Sequence, residues 1–320
     1  MAARRFTDIV DCRHPIVSAP MGAVSGGRLA AAVSAAGGFG LIGGGYSRDR
    51  AWLARELDLA GDMARVGVGF ITWSVAEQVD TFDLVLERGP KAIMLSFGDA
   101  APFIARARRA GIAVICQVQT AAMAREAVAQ GADVIVAQGT EAGGHGAACA
   151  TLPLVPAVVD AIGDKVPVLA AGGIADGRGL AAAWALGADG ALLGTRFYAA
   201  EEALVHPAAK ARVVASEGDA TARGSAVDHV RGYHWPAPYT IRTVVNDFVR
   251  RWNGHEAELA TALAPEMARY AAAAEAGDFD TAAVIVGEAA GLVHDVLPAG
   301  EIVRRIADEA RAVIARLAPR

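Results

Sequence analysis

The chain has 320 residues, 54% of them hydrophobic, and a formal net charge of -5. That length favours one large domain or two small ones and is ample for a sizeable buried core. No uninterrupted apolar run reaches membrane-spanning length, and the basic residues are scattered rather than gathered into a stripe, so neither a membrane nor nucleic acid is expected as a partner. The start, MAARRFTDIV, has no apolar stretch long enough for a signal peptide. Cys12, Cys116 and Cys149 show no metal-ligand spacing and suit a reducing compartment as small buried hydrophobes. A cytoplasmic protein with no metal site is the expectation.

In chain order one theme repeats: a short apolar or β-branched run, a glycine-bearing turn, then an alanine-rich helical segment. The runs Ile16 to Ala19, Gly40 to Ile42, Val66 to Ile71, Ala92 to Ser96, Ala113 to Val118, Val134 to Ala137, Val168 to Ala171 and Ala191 to Gly194 read as strands. Their spacing of about 25 residues is one strand plus a crossover helix, which makes neighbours parallel. Eight such units predict a closed (β/α)8 TIM barrel. Between them, Thr120 and Asp176 stand where helix caps belong, and Gly111, Gly131 and Gly187 end helices just before strands.

After Thr195 the pattern changes. The spacing predicts a helical subdomain over residues 201–287, inserted before the last barrel helix, with the barrel formed by 1–200 and 288–320. No further strand is expected there; Tyr239 to Trp252 (YTIRTVVNDFVRRW) and Ala257 to Ala276 carry apolar residues at helical spacing. Glu301 to Leu317 is amphipathic and long enough to be the eighth outer helix. Tyr233, Trp235, Tyr239 and Trp252 are core candidates that could instead cover the barrel mouth, and an aromatic surface of this kind is compatible with a homodimer.

Every unusual loop falls after a candidate strand, where barrel enzymes place their chemistry. In Pro20-Met21-Gly22 a residue without a backbone donor and a glycine open to close approach leave room for a planar ligand. Gly172-Gly173, with Asp176 opening a helix, and Gly194-Thr195, followed by Arg196, form the seventh and eighth loops; glycine amides and a helix start at adjacent strands suit a phosphate. The sixth loop, QGTEAGGHG, places His145 between two glycines at a strand's end, and an imidazole titrating near neutrality there is the best candidate for proton transfer. Glu141 could orient a ring or a backbone donor, or simply be exposed. Gln117 and Gln119, two apart, share a strand face that would be the barrel mouth, and Gln138 is placed to bond the edge of a heterocycle.

Together APMG, AAAVSAAGGFGLIGGG, QGTEAGGHG, LAAGGI and LLGTRF resemble the nitronate monooxygenases, formerly called 2-nitropropane dioxygenases. The resemblance covers the barrel almost throughout and implies FMN as cofactor, with a small nitro compound and O2 as reactants. It implies that Pro20, Met21 and Gly22 lie beside the isoalloxazine, that Gln138 and Gly143 contact the flavin, and that Gly172, Gly173, Gly194 and Thr195 hold the phosphate; Gln117, at the barrel mouth, is expected to bind the cofactor with them. His145 matches the family's active-site histidine. The chain departs from the tyrosine and lysine set of the best-characterised bacterial group, since the tail from Gly287 to Glu301 has neither residue, and Lys91 and Lys165 fall before strands, at the opposite face. The sixth-loop motif is shared with enoyl-acyl-carrier-protein reductases, so an NAD(P)H-dependent enoyl-thioester reductase is the alternative. A phospho-sugar enzyme on the same barrel is a third reading.

Overall fold

Apolar runs that are buried on both faces build the centre of the molecule. The computed structural model describes residues 4–46 and 49–317, so the outermost ends of the expected barrel range lie outside the described residues. The strands are β1 (Ile16–Ser18), β2 (Phe39–Gly45), β3 (Val66–Ile71), β4 (Ala92–Ser96), β5 (Ala113–Val118), β6 (Val134–Gln138), β7 (Gly144–Gly146), β8 (Val168–Ala171), β9 (Gly190–Leu193), β10 (Thr221–Gly224) and β11 (Thr240–Val244). Eight of them close a parallel barrel in the order β1-β2-β3-β4-β5-β6-β8-β9, and β9 pairs back to β1 with Val17 opposite Leu192. The eight predicted strands are these eight, shifted by a residue or a few at some ends.

The pleat explains why the strands read as continuous apolar runs. On β6, Val134 and Val136 join the barrel interior with Ile115, Met94, Leu169 and Leu192, while Ile135 and Ala137 pack outward against the helices. The helix Phe6–Val10 closes the bottom with Phe6, Ile9 and Val10. The last helix, Ala299–Leu317, buries Ile302, Val303 and Ile306 and packs against the helices Gly177–Ala185 and Gly27–Ala35, with Glu309 accepting from the Gly177 amide at 2.9 Å. At roughly 1.5–3 kcal/mol for each large aliphatic side chain buried, that stripe suffices to hold the tail on the barrel.

The segment between β9 and the last helix carries six α-helices and, with them, two strands that its apolar spacing did not announce. β10 and β11 pair antiparallel, and β11 pairs in turn with β7 of the sixth loop, His145 lying opposite Ile241. The helical expectation for Tyr239 to Trp252 is therefore corrected: Thr240–Val244 is a strand, and the helix is only Asp247–Trp252, capped by the Asn246 side chain, which accepts from the Val249 amide. The β-branched Thr240, Ile241, Thr243 and Val244 favour the pleated state, and the cap stops helix from propagating backwards. Residues 257–276, expected as one helix, divide at Ala262 into Glu256–Thr261 and Leu263–Ala276. Among the described residues no helix is long and apolar enough to cross a membrane.

Candidate active site at the carboxyl mouth of the barrel

The inward alternation of β5 and β6 continues past the apolar layers and carries glutamines to the barrel mouth. Ile115 and Val136 face inward, so Gln117 and Gln138 follow them two residues later on the same face. Gln117 and Gln119 both donate from Nε2 to Gln138 Oε1, at 3.2 and 2.9 Å, and Gln138 donates onward to the His145 carbonyl at 3.0 Å. Three buried amides thus tie the strand ends to the backbone of the sixth loop.

His145 sits on β7, a three-residue strand that is itself a finding, since glycines on either side of a histidine give no strand signal. It exists because β11 supplies a ladder partner. The His145 Nε2 lies 2.9 Å from both carboxylate oxygens of Asp228, and the two side chains are only 8% and 3% exposed. Trp235 lies flat on the imidazole, with ring centroids 3.4 Å apart and planes within 8°. Burial pushes the His145 pKa below the ordinary imidazole value; Asp228 opposes that shift through its bond and charge, while Arg231 and Arg223 add to it. The net direction favours the uncharged form of the ring.

An aromatic wall surrounds this pair. Trp235 donates from Nε1 to the Tyr46 hydroxyl at 3.0 Å, Tyr46 stacks on Tyr233 with centroids 3.9 Å apart, and Trp235 meets Trp73 and Phe97 edge-on at 5.4 and 5.1 Å. Tyr239 completes it against Phe97 at 5.0 Å. Of the four aromatics singled out in the insertion, Trp235 lines the cavity and Tyr233 and Tyr239 back it through Tyr46 and Phe97, whereas Trp252 packs with Phe248 and Tyr270 in a separate core. Tyr46, Trp73 and Phe97 follow β2, β3 and β4; a lone aromatic after a strand gave no signal by itself.

Arginines fix the backbone of the sixth loop. Arg223 on β10 donates to the carbonyls of Thr140, Ala142, Gly144, Gly146 and Thr240, and Arg242 on β11 donates to Thr140 and pairs with Glu288 at 3.0 Å. Burial pushes the Arg223 pKa down to about 10, with the Arg242 charge adding to it, yet the guanidinium stays charged at neutral pH. Glu141 proves to be a backbone orienter: its carboxylate accepts from the Thr151 amide and, at 2.7 Å, from the Thr151 hydroxyl, so it caps the helix Thr151–Ile162.

The eleven residues expected to hold the cofactor or act in catalysis line one cavity of about 260 Å³, and Gln119 and Glu141 stand behind its wall. Pro20, Met21 and Gly22 form one wall, Gln117, Gln138, Gly143 and His145 another, and Gly172, Gly173, Gly194 and Thr195 a third. Arg196 turns away instead and pairs with Asp295 at 2.8 Å. The glycines divide by cause. At Gly143 a Cβ would lie 2.4 Å from the Val286 carbonyl carbon, and Gly172 and Gly173 have φ of 106° and 72°, so the protein's own backbone requires glycine there. Gly194 differs. Its φ is -98°, and a Cβ there would meet only Ala19 Cβ and Met21 Sδ, both at an ordinary 3.7 Å. Among the described residues nothing demands glycine at 194; the space kept open belongs to the cavity. Beside it Thr195 Oγ1 accepts from the Gly287 amide at 2.9 Å, leaving its own hydroxyl hydrogen to be donated.

Asp228, Arg231, Arg223 and Arg242 were not found from the sequence. Asp228 and Arg223 act across 83 residues of chain, and their elements become neighbours only through the β7–β11 ladder.

A family model described as nitronate monooxygenase matches residues 3–65 and 54–309. A nitronate monooxygenase of Metarhizium robertsii, npaC, is 37% identical over 93% of this chain and 91% of its own. Among solved structures, FabK from Thermotoga maritima superposes with a TM-score of 0.86 at 31% identity, covering 98% of both chains. A nitroalkane oxidase from Streptomyces ansochromogenes superposes with a TM-score of 0.81 at 30% identity, covering 97% of this chain and 99% of that one.

Proposed function

Since the chain belongs to the nitronate monooxygenase family of flavin-dependent oxidoreductases, we propose that it binds FMN and uses O2 to oxidise alkyl nitronates, and nitroalkanes deprotonated in the site, to carbonyl compounds and nitrite. The observation that carries this reading is a buried histidine, paired to a carboxylate, in the same cavity as a glycine-lined wall with space for a ligand. The cradle fits a phosphate: Gly194 leaves room for close approach, Gly172 and Gly173 turn the backbone beside it, and Thr195 has a hydroxyl hydrogen to donate. Pro20, Met21 and Gly22 would flank the ring system, and Gln117 and Gln138 would face its polar edge. When bound, the flavin supplies the electron acceptor and the access to oxygen chemistry, and the protein supplies orientation and electrostatics.

His145 would take the α-proton of a neutral nitroalkane or hold the anionic nitronate. Arg231, the one lysine or arginine lining the cavity among the described residues, would offset the nitronate's charge. The aromatic wall excludes water and favours an apolar body on the substrate.

The FMN-loaded protein should consume oxygen and release nitrite with propionate 3-nitronate; intact flavin without turnover overturns the reading. Anaerobic addition of NADPH examines the enoyl-thioester reductase reading carried by the shared sixth-loop motif, which requires rapid bleaching of the flavin. Gly194→Ala puts a methyl group into the cradle at ordinary contact distance from Ala19 and Met21, so FMN affinity should fall at least about tenfold, or about 1.4 kcal/mol, with the melting temperature of the flavin-free protein unchanged. Equal FMN affinity would show that the cradle holds no part of the cofactor.

A further inference from the structure

The sixth loop supplies His145, but what that ring can do is set by a residue on another element. Asp228 lies in the helix Ala226–Val230, buried at 2% exposure, and both of its carboxylate oxygens stand 2.9 Å from His145 Nε2. A carboxylate only accepts hydrogen bonds, so the hydrogen in this contact is the histidine's. A neutral imidazole has one N–H, and placing it on Nε2 leaves Nδ1 bare. We propose that Asp228 is the positioning residue of this site: it fixes the neutral tautomer of His145 with the proton on Nε2 and makes Nδ1 the atom that receives the substrate proton. This rests on His145 handling a proton of a nitro compound.

The step balances within the site. The α-carbon's hydrogen moves to Nδ1, the electron pair of the broken C–H bond passes into the nitro group to give the nitronate, and the imidazolium formed lies against the Asp228 carboxylate. Trp235, flat on the ring, restrains rotation that would exchange the two nitrogens. The charged groups around the ring are Asp228, Arg231 on the following turn and Arg223 from β10, with the Tyr46 hydroxyl one bond removed through Trp235. Of these only Asp228 is an anion. It therefore opposes both burial and two arginines, and removing its charge should lower the histidine's basicity further.

Nitrogen-15 NMR of the FMN-loaded wild-type protein, labelled at histidine, reads the tautomer directly. The expected His145 pattern at neutral pH is a protonated Nε2 and an unprotonated Nδ1; the reverse pattern overturns the proposal, whether or not any nitro compound is a substrate. In Asp228→Asn the acid limb of the kcat/KM profile with a neutral nitroalkane should move to lower pH. Its kcat should fall by about 10²-fold while turnover of a preformed nitronate, which has already lost its proton, falls much less. An unchanged limb and unchanged kcat in a variant with normal flavin spectrum and melting temperature would leave Asp228 with packing alone. If the variant does not fold, the wild-type spectrum decides. The expected tautomer in a protein that oxidises neither nitroalkane nor nitronate would sink the proposed function and leave the role of Asp228 standing.

Discussion

His145→Ala is expected to lose about 10²–10⁴-fold in kcat/KM with a neutral nitroalkane, the usual contribution of a positioned proton-transfer group. With a preformed nitronate the loss should be smaller, because no proton has to be removed. The variant also strands the Asp228 carboxylate, which is 3% exposed and would keep no partner in the ring it faces. His145→Gln separates the two effects: its amide can still donate to Asp228, but it carries no basic nitrogen. Fold and flavin should survive in the glutamine variant while proton removal does not. Wild-type turnover of nitroalkane in either variant would remove His145 from the chemistry. In the wild type the depressed histidine pKa keeps the ring in its basic form to lower pH than an ordinary imidazole, so the acid limb for nitroalkane should lie below the ordinary imidazole value.

The barrel was legible in the sequence because its signal is local. Each strand buried on both faces reads as an uninterrupted apolar run, and each is followed by a turn and an alanine-rich helix, eight times. The position of Gln138 was legible for the same reason: it continues the inward alternation of Val134 and Val136 by two residues. The glycine cradles were legible because loops after β8 and β9 are where the fold leaves space. The insertion was not. The apolar positions from Tyr239 to Trp252 satisfy a helical period, and only the partners on either side of β11 make its first half a strand. What depends on that ladder was invisible with it: β7 as a strand, Arg223 within reach of the loop carbonyls, and Asp228 beside His145. The local pattern specified the scaffold and the glycines of the cavity wall; the groups that surround His145 and its loop arrive from a segment more than 80 residues away, a separation that short-range periodicity does not see.

Arg223→Met should be the most damaging single change outside the cavity lining. The guanidinium joins carbonyls on both sides of the sixth loop, from Thr140 to Gly146, to the Thr240 carbonyl at the start of β11. A methionine fills similar space but donates nothing, so several partly buried carbonyls lose their partner at about 1–3 kcal/mol each. Relief from burying a charge offsets part of that, and a net loss of about 3 kcal/mol, roughly 4–5 °C in melting temperature for a chain of this length, is expected. Because the same bonds hold β7 in register with β11, turnover of nitroalkane and of nitronate should fall together, in contrast to the His145 variants, where the two substrates separate. Arg223→Lys should not rescue it, since one ammonium cannot spread planar donors over carbonyls that diverge along the loop. A lysine variant with wild-type melting temperature and activity would show that the loop is held by its ladder to β11 alone.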